Sequence, residues 1–179
     1  VSKLKIVATH IKHYGLKEQL CLPKIYQKEQ LDLLYVPHWN IPVFYQGKLA
    51  ITIHDLLWHE QKGTQATTLG AGQYFLKYLA YRYITRQAAK KAKLIFVPAE
   101  TIKATVLRYY PFADKKIIVS QEGLASTYEK ALQQKSTIQP RIKKQLIYTG
   151  SLYPHKNLKL VIKSLSKIPK YKLLIASSR

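Results

Sequence analysis

Short apolar runs alternate with longer amphipathic stretches along the whole chain, and this alternation restricts its fold more than any other feature. Residues 4–8, 33–36, 49–53, 94–97, 117–119, 146–148 and 173–176 are runs dominated by Leu, Ile, Val and Tyr. Their length and composition suit strands buried on both faces. Between them, residues 16–30, 67–92, 99–109 and 157–168 carry helical patterns. Strands that take turns with helices predict an α/β fold, a parallel sheet wrapped by helices.

The pattern breaks once. Residues 128–144 are polar, with Gln133, Gln134, Lys135, Ser136, Pro140, Lys143 and Lys144, and read as connecting chain. We expect a first domain over 1–135, a linker over 136–144, and one β-α-β unit over 145–179 that opens a second domain. That last unit is shorter than the roughly 40 residues at which a lone domain becomes hard to stabilise without disulfides or metal. The sequence contains no methionine, even at position 1, so the true start is expected to lie upstream.

Composition then restricts the partners. At 47% hydrophobic the chain is not a disordered polymer. Thirty Lys and Arg against nine Asp and Glu leave a formal charge of +21, which favours polyanions: nucleic acid, an anionic membrane face or phosphorylated substrates. The single cysteine, Cys21, rules out an internal disulfide framework and fits a reducing compartment. No apolar run approaches the roughly 18 residues of a spanning helix, so membrane contact would be peripheral. In the segment 67–92, Phe75, Leu76, Leu79, Tyr83 and Ile84 lie on or near one face, with Lys77, Arg82, Arg86, Lys90 and Lys91 elsewhere. Those cations are read either as a solvated surface or as a contact for anionic lipid.

In an open parallel sheet, ligands bind outside the carboxyl ends of the strands. Residues just past the strands are therefore the candidates: Pro37, His38, Trp39 and Asn40; His54 and Asp55; Pro98 and Ala99; Glu122 and Gly123; Gly150 and Ser151. Two histidines fall at this edge. No G-x-G-x-x-G follows a strand, and neither a Walker loop nor a G-x-S-x-G elbow is present. His54, Asp55 and His59 suggest a metal, but their spacing matches no familiar ligand motif, so no metal is expected. Fourteen tyrosines among many cations keep a nonenzymatic nucleic-acid-binding module as the alternative, although no recognition helix, RNA-binding aromatic motif or zinc finger is recognisable.

Three ordered motifs carry a resemblance. They are Asp32-Leu-Leu-Tyr-Val-Pro-His-Trp-Asn-Ile-Pro, Leu49-Ala-Ile-Thr-Ile-His-Asp-Leu and Ile147-Tyr-Thr-Gly-Ser-Leu-Tyr-Pro-His-Lys-Asn-Leu. Together they resemble the retaining, nucleotide-sugar-dependent glycosyltransferases of family 4, mannosyltransferase-like bacterial members in particular. The resemblance implies the GT-B arrangement, two Rossmann-like domains facing across a cleft, with acceptor mainly on the first and nucleotide-sugar on the second. The chain would hold most of the first domain and the beginning of the other. It further implies transfer of a hexose, mannose by preference, to a lipid-linked or polysaccharide acceptor, with a nucleoside-diphosphate sugar as donor and no other cofactor. A cytoplasmic location follows, peripheral at the inner face of the membrane.

Residue by residue, the resemblance makes His54 the catalytic-edge histidine that faces the transferred sugar. Gly150, Ser151 and Lys156 match the segment that binds the donor diphosphate, and His38, Asp55, Glu122 and Gly123 fall along the cleft. Many members carry arginine where this chain has Ser151, so one phosphate contact would be lost or supplied by His155. The family's Glu-x7-Glu donor motif would lie beyond Arg179 and its glycine-rich loop ahead of Val1, so the piece in isolation is expected to be inactive.

Overall fold

The computed structural model of the chain describes residues 4–60, 71–123, 128 and 144–177. These form two compact units, one of 4–59 with 75–122, the other of 60, 71–74, 123, 128 and 144–177. Most of the polar stretch 128–144, including nearly all of the expected linker, lies outside the described residues.

The first unit is built on β1 (Leu34–Val36), β2 (Leu49–Thr52), β3 (Leu94–Val97) and β4 (Ile117–Val119), which pair side by side in that order, all parallel. Helix α1 (Leu16–Lys28) precedes β1. The short α2 (Leu57–Glu60) and the long α3 (Ala71–Lys91) link β2 to β3, and α4 (Glu100–Tyr109) links β3 to β4. The chain is therefore mixed α/β with a four-stranded parallel sheet, compatible with a Rossmann-like fold.

Strand order follows sequence order, so every crossover steps in the same direction. Right-handed crossovers then deliver their helices to one face of the sheet. That face holds the core: Leu34, Ile51, Ile95, Val97 and Ile117 meet Ala88 and Ala89 of α3, Ala92 just beyond it, and Val106 of α4. The alanines, all fully buried, let the backbone of α3 approach the sheet closely. On the opposite face Tyr35, Leu94 and Ile118 are exposed. Only β2 is buried along its whole length, so the expectation of strands buried on both faces is corrected for the other three.

Two lysines tie the helical layer down. Lys116 donates to the carbonyls of Ala89 and Lys90 at the end of α3, where a cation satisfies orphan acceptors and the helix dipole together. Lys91 donates to the carbonyls of Val43 and Tyr45.

One further expectation needs correction, and two features of α3 add to the sequence reading. Residues 4–8 form no strand; Leu4 and Ile6 are both 81% exposed. An apolar run becomes a strand only when a neighbouring strand takes its backbone hydrogen bonds. On α3, Phe75, Leu76, Leu79 and Tyr83 point away from the core, while Tyr81, Thr85, Ala88 and Ala89 are buried. The helix carries apolar residues on all sides, so periodicity could not choose its inner face. Finally, the five cations of this segment are not equivalent: Lys91 is committed to carbonyls, and Arg82 lies over the Tyr109 ring, 5.7 Å from its centroid.

The second unit contains β5 (Gln145–Thr149), α5 (Leu158–Leu165) and β6 (Lys172–Ala176). Its strands pair in parallel, with Ile147 opposite Leu174.

Candidate functional site

The carboxyl edge of the four-stranded sheet gathers its side chains through backbone ladders. Past β2, the Ile53 N–H bonds the Phe96 carbonyl at 2.9 Å; past β4, the Ser120 N–H bonds the Val97 carbonyl at 2.8 Å. These bonds carry the chain regularly beyond β2 and β4, the strands on either side of β3. His54 and Glu122 therefore arrive at the same place. His54 Nδ1 lies 2.9 Å from Glu122 Oε1, and Nε2 lies 3.2 Å from the Pro37 carbonyl oxygen, which follows β1.

One imidazole thus spans the ends of β1 and β4. Both of its partners are acceptors when Glu122 is ionised, so the ring makes both bonds at once only as a doubly protonated donor; a neutral ring makes one. The histidine ring is nearly half exposed and the carboxylate more so. Ion pairs this open contribute little to stability, about 0–1 kcal/mol. Their main effect here is to orient the ring.

His38 is the second edge histidine. Its Nδ1 accepts the Asn40 backbone N–H at 3.1 Å, which leaves the proton on Nε2. Burial, joined by the nearby His54, lowers its pKa below the usual histidine value, while Asp55 and Glu18 oppose the shift. Asp55 accepts the Leu57 N–H at 3.1 Å and so begins α2. Gly123 is exposed, and a methyl group in place of its hydrogen would meet no atom within 4 Å.

Along the open sheet face below this edge runs a cavity of about 520 Å³. His54, Ser120 and Glu122 line one end, and Leu33 and Leu94 the other. Midway, the Tyr35 hydroxyl and Thr52 Oγ1 bond each other at 2.7 Å.

Sequence reasoning missed Glu18. This carboxylate is buried in the first turn of α1, accepts the Asn40 amide at 2.9 Å and the Tyr14 backbone N–H at 2.6 Å, and lies 3.6 Å from His13. It anchors the segment that carries His38. The only available signal was an acidic residue in the first turn of a helix, which is commonplace.

His59 is the third residue of the His54, Asp55 and His59 set that suggests a metal in the sequence. It is 1% exposed, with Nδ1 2.6 Å from the Tyr81 hydroxyl and Nε2 2.6 Å from that of Tyr110. Both ring nitrogens are occupied, so neither can bind a metal without breaking a buried hydrogen bond. Among the described residues no three His, Cys, Asp or Glu side chains gather as a metal-binding group.

In the second unit, Gly150 follows β5 with φ +138° and donates its N–H to the Ala176 carbonyl at 3.2 Å. The Tyr148 hydroxyl bonds the Ser151 carbonyl at 2.7 Å. Lys156 ends a single 3-10 turn, Pro154–Lys156, and is exposed. Asn157 then takes a left-handed conformation, φ 52°, at the start of α5. A methyl at Gly150 has room, since its nearest neighbour would be the Tyr148 hydroxyl at 3.5 Å. Its backbone angle is the obstacle. Gly150→Ala should therefore cost about 1–3 kcal/mol, seen as faster amide exchange in β5 and β6; unchanged protection would show that the turn adapts freely.

Compared with known proteins, the chain matches no family model and no curated sequence.

Proposed function

We propose that this chain belongs to a retaining glycosyltransferase of the GT-B type that moves a hexose, mannose by preference, from a nucleoside-diphosphate sugar to a lipid-linked or polysaccharide acceptor. The observation that carries the reading is His54: the strand-end histidine of the family-like motif is held at the ligand-binding edge of a parallel sheet by Glu122 and Pro37. A ring oriented before substrate arrives can donate to a sugar hydroxyl and stabilise positive charge developing near the anomeric carbon without reorganising.

Lys156 offsets the negative charge that grows on the departing nucleoside diphosphate. Gly150 lets backbone approach the phosphates, and Ser151 offers a hydroxyl beside them. His38, with its proton on Nε2, is a neutral donor in the acceptor half of the cleft. We place the reaction in the cytoplasm, at the inner face of the membrane.

The test uses the complete parent enzyme with GDP-mannose and UDP-glucose, following sugar transfer or hydrolysis and the anomeric configuration of the product. A retained configuration supports the reading. No turnover of either donor, together with duplex-DNA binding that falls steeply with salt, would replace it by the nucleic-acid-binding alternative.

A further inference from the structure

Helix α3 carries an outward face with no partner among the described residues. Phe75, Leu76, Leu79 and Tyr83 are 58, 69, 49 and 56% exposed. At about 100° per residue these four positions, and Arg86 and Lys90 after them, fall within one arc of about 100°. Both cations are exposed. The inner side of the helix is tied to the core through Tyr81, Thr85, Ala88 and Ala89, so the helix cannot roll to hide its apolar stripe.

The charge on this helix has one sign. Its 21 residues, AGQYFLKYLAYRYITRQAAKK, contain no Asp or Glu. A partner protein meeting such a face would need an apolar groove and acidic residues at matching positions. A bilayer surface requires no such match: its acyl boundary takes the rings and leucines, while its anionic headgroups take the cations. Duplex nucleic acid would satisfy Arg86 and Lys90 but leave Leu76 and Leu79 in water.

We propose that this face of α3 is a docking surface for an anionic lipid bilayer, with Phe75, Leu76, Leu79 and Tyr83 entering the headgroup–acyl boundary and Arg86 and Lys90 on phosphate groups. Arg82 and Lys91 stay with the protein, on the Tyr109 ring and the Val43 and Tyr45 carbonyls. The inference rests on the membrane location proposed above, but it uses no residue of the His54 edge, so loss of vesicle binding and loss of sugar transfer are separate outcomes.

The experiment is flotation of the full chain with vesicles of phosphatidylcholine alone and with rising phosphatidylglycerol content. R86Q/K90Q should weaken partitioning roughly 30-fold, and L76Q/L79Q roughly 100-fold. K24Q/K115Q, which removes two exposed cations elsewhere, should bind nearly as well as the native chain. All substituted side chains are exposed, and circular dichroism checks that each variant is folded. Equal loss from the control pair would reduce the effect to bulk charge and overturn the proposal. So would duplex DNA binding that R86Q/K90Q abolishes while L76Q/L79Q leaves vesicle binding intact. Lipid-free self-association of the native chain that L76Q/L79Q abolishes would assign the stripe to a second copy instead.

Discussion

His59→Phe should destabilise the first unit by about 3–4 kcal/mol, read as a lower urea midpoint at neutral pH. The ring sits between the Tyr81 and Tyr110 hydroxyls, and the Tyr109 hydroxyl bonds the His59 carbonyl at 3.1 Å. A neutral imidazole has one N–H and one bare nitrogen, so one tyrosine accepts from it and the other donates to it. Phenylalanine removes both partners and leaves two buried hydroxyls unpaired, each costing about 1–3 kcal/mol. His59→Gln, which offers both a donor and an acceptor, should cost about half as much.

The same cluster makes stability depend on pH. Burial, helped by the nearby Arg82, lowers the His59 pKa from 6.5 to about 4. Burial likewise raises Tyr81, and pushes Tyr110 up to about 12 against the opposing pull of Arg82 and Arg86, so both hydroxyls stay protonated. Because the folded pKa lies below the unfolded one, the unfolded chain binds the extra proton between them. The contribution of His59 is complete above pH 6.5, declines as pH falls towards 4, and changes no further below that. Its span is about 3 kcal/mol. Urea midpoints of the native chain should therefore drop between pH 7 and 4.5, and those of His59→Phe should drop less. Parallel pH profiles, or a His59→Phe cost under about 1 kcal/mol, would show that the buried relay is not what holds these helices together.

The second large effect is on rate. On the transferase reading proposed above, His54→Ala in the complete protein should lower turnover about 10²- to 10³-fold, as loss of one preorganised donor commonly does, with little change in unfolding midpoint. The exposure of the His54–Glu122 pair explains why stability should barely move. On the same reading Glu122, 2.9 Å from His54 Nδ1, is a positioning residue that acts through the ring. Glu122→Gln keeps an acceptor on Nδ1 and removes the charge, so its loss should be nearer 10-fold and should fall on kcat rather than KM. His13→Ala should be close to native. His59→Ala should lose activity only in step with folded protein, so assays at a temperature where it remains folded separate the two histidines. Equal losses for His54 and His59 under those conditions would end the catalytic assignment.

Much of the architecture was readable from local pattern. Residues 94–97 and 117–119 are short Leu-Ile-Val-Phe runs between polar segments, and they become β3 and β4 with the bounds expected. The position of His54 just past β2 was legible because the end of that strand could be found from Leu49-Ala-Ile-Thr-Ile alone. Helix α3 was legible as a helix, and Phe75, Leu76, Leu79 and Tyr83 as sharing a face, but the sequence did not say which side packs inward; Tyr81, Thr85, Ala88 and Ala89 do. Periodicity measures how apolar residues are distributed, whereas packing selects the side that fits closest to the sheet.

The pairings that give these elements their chemistry were out of reach for the same reason. His54 meets Glu122 across 68 positions, His59 meets Tyr110 across 51, and Glu18 meets Asn40 across 22. Each pair shares a location only after parallel strands have been set in register and their helices laid over one face. The sequence by itself determined the kinds of element, their order, the net positive charge and the strand-end position of His54, because propensity, periodicity and charge are local or additive. Tertiary structure alone decided that residues 4–8 stay unpaired, that Glu122 rather than another acidic residue orients His54, and that the apolar stripe of α3 faces outward, because each of those depends on which distant surface lies alongside.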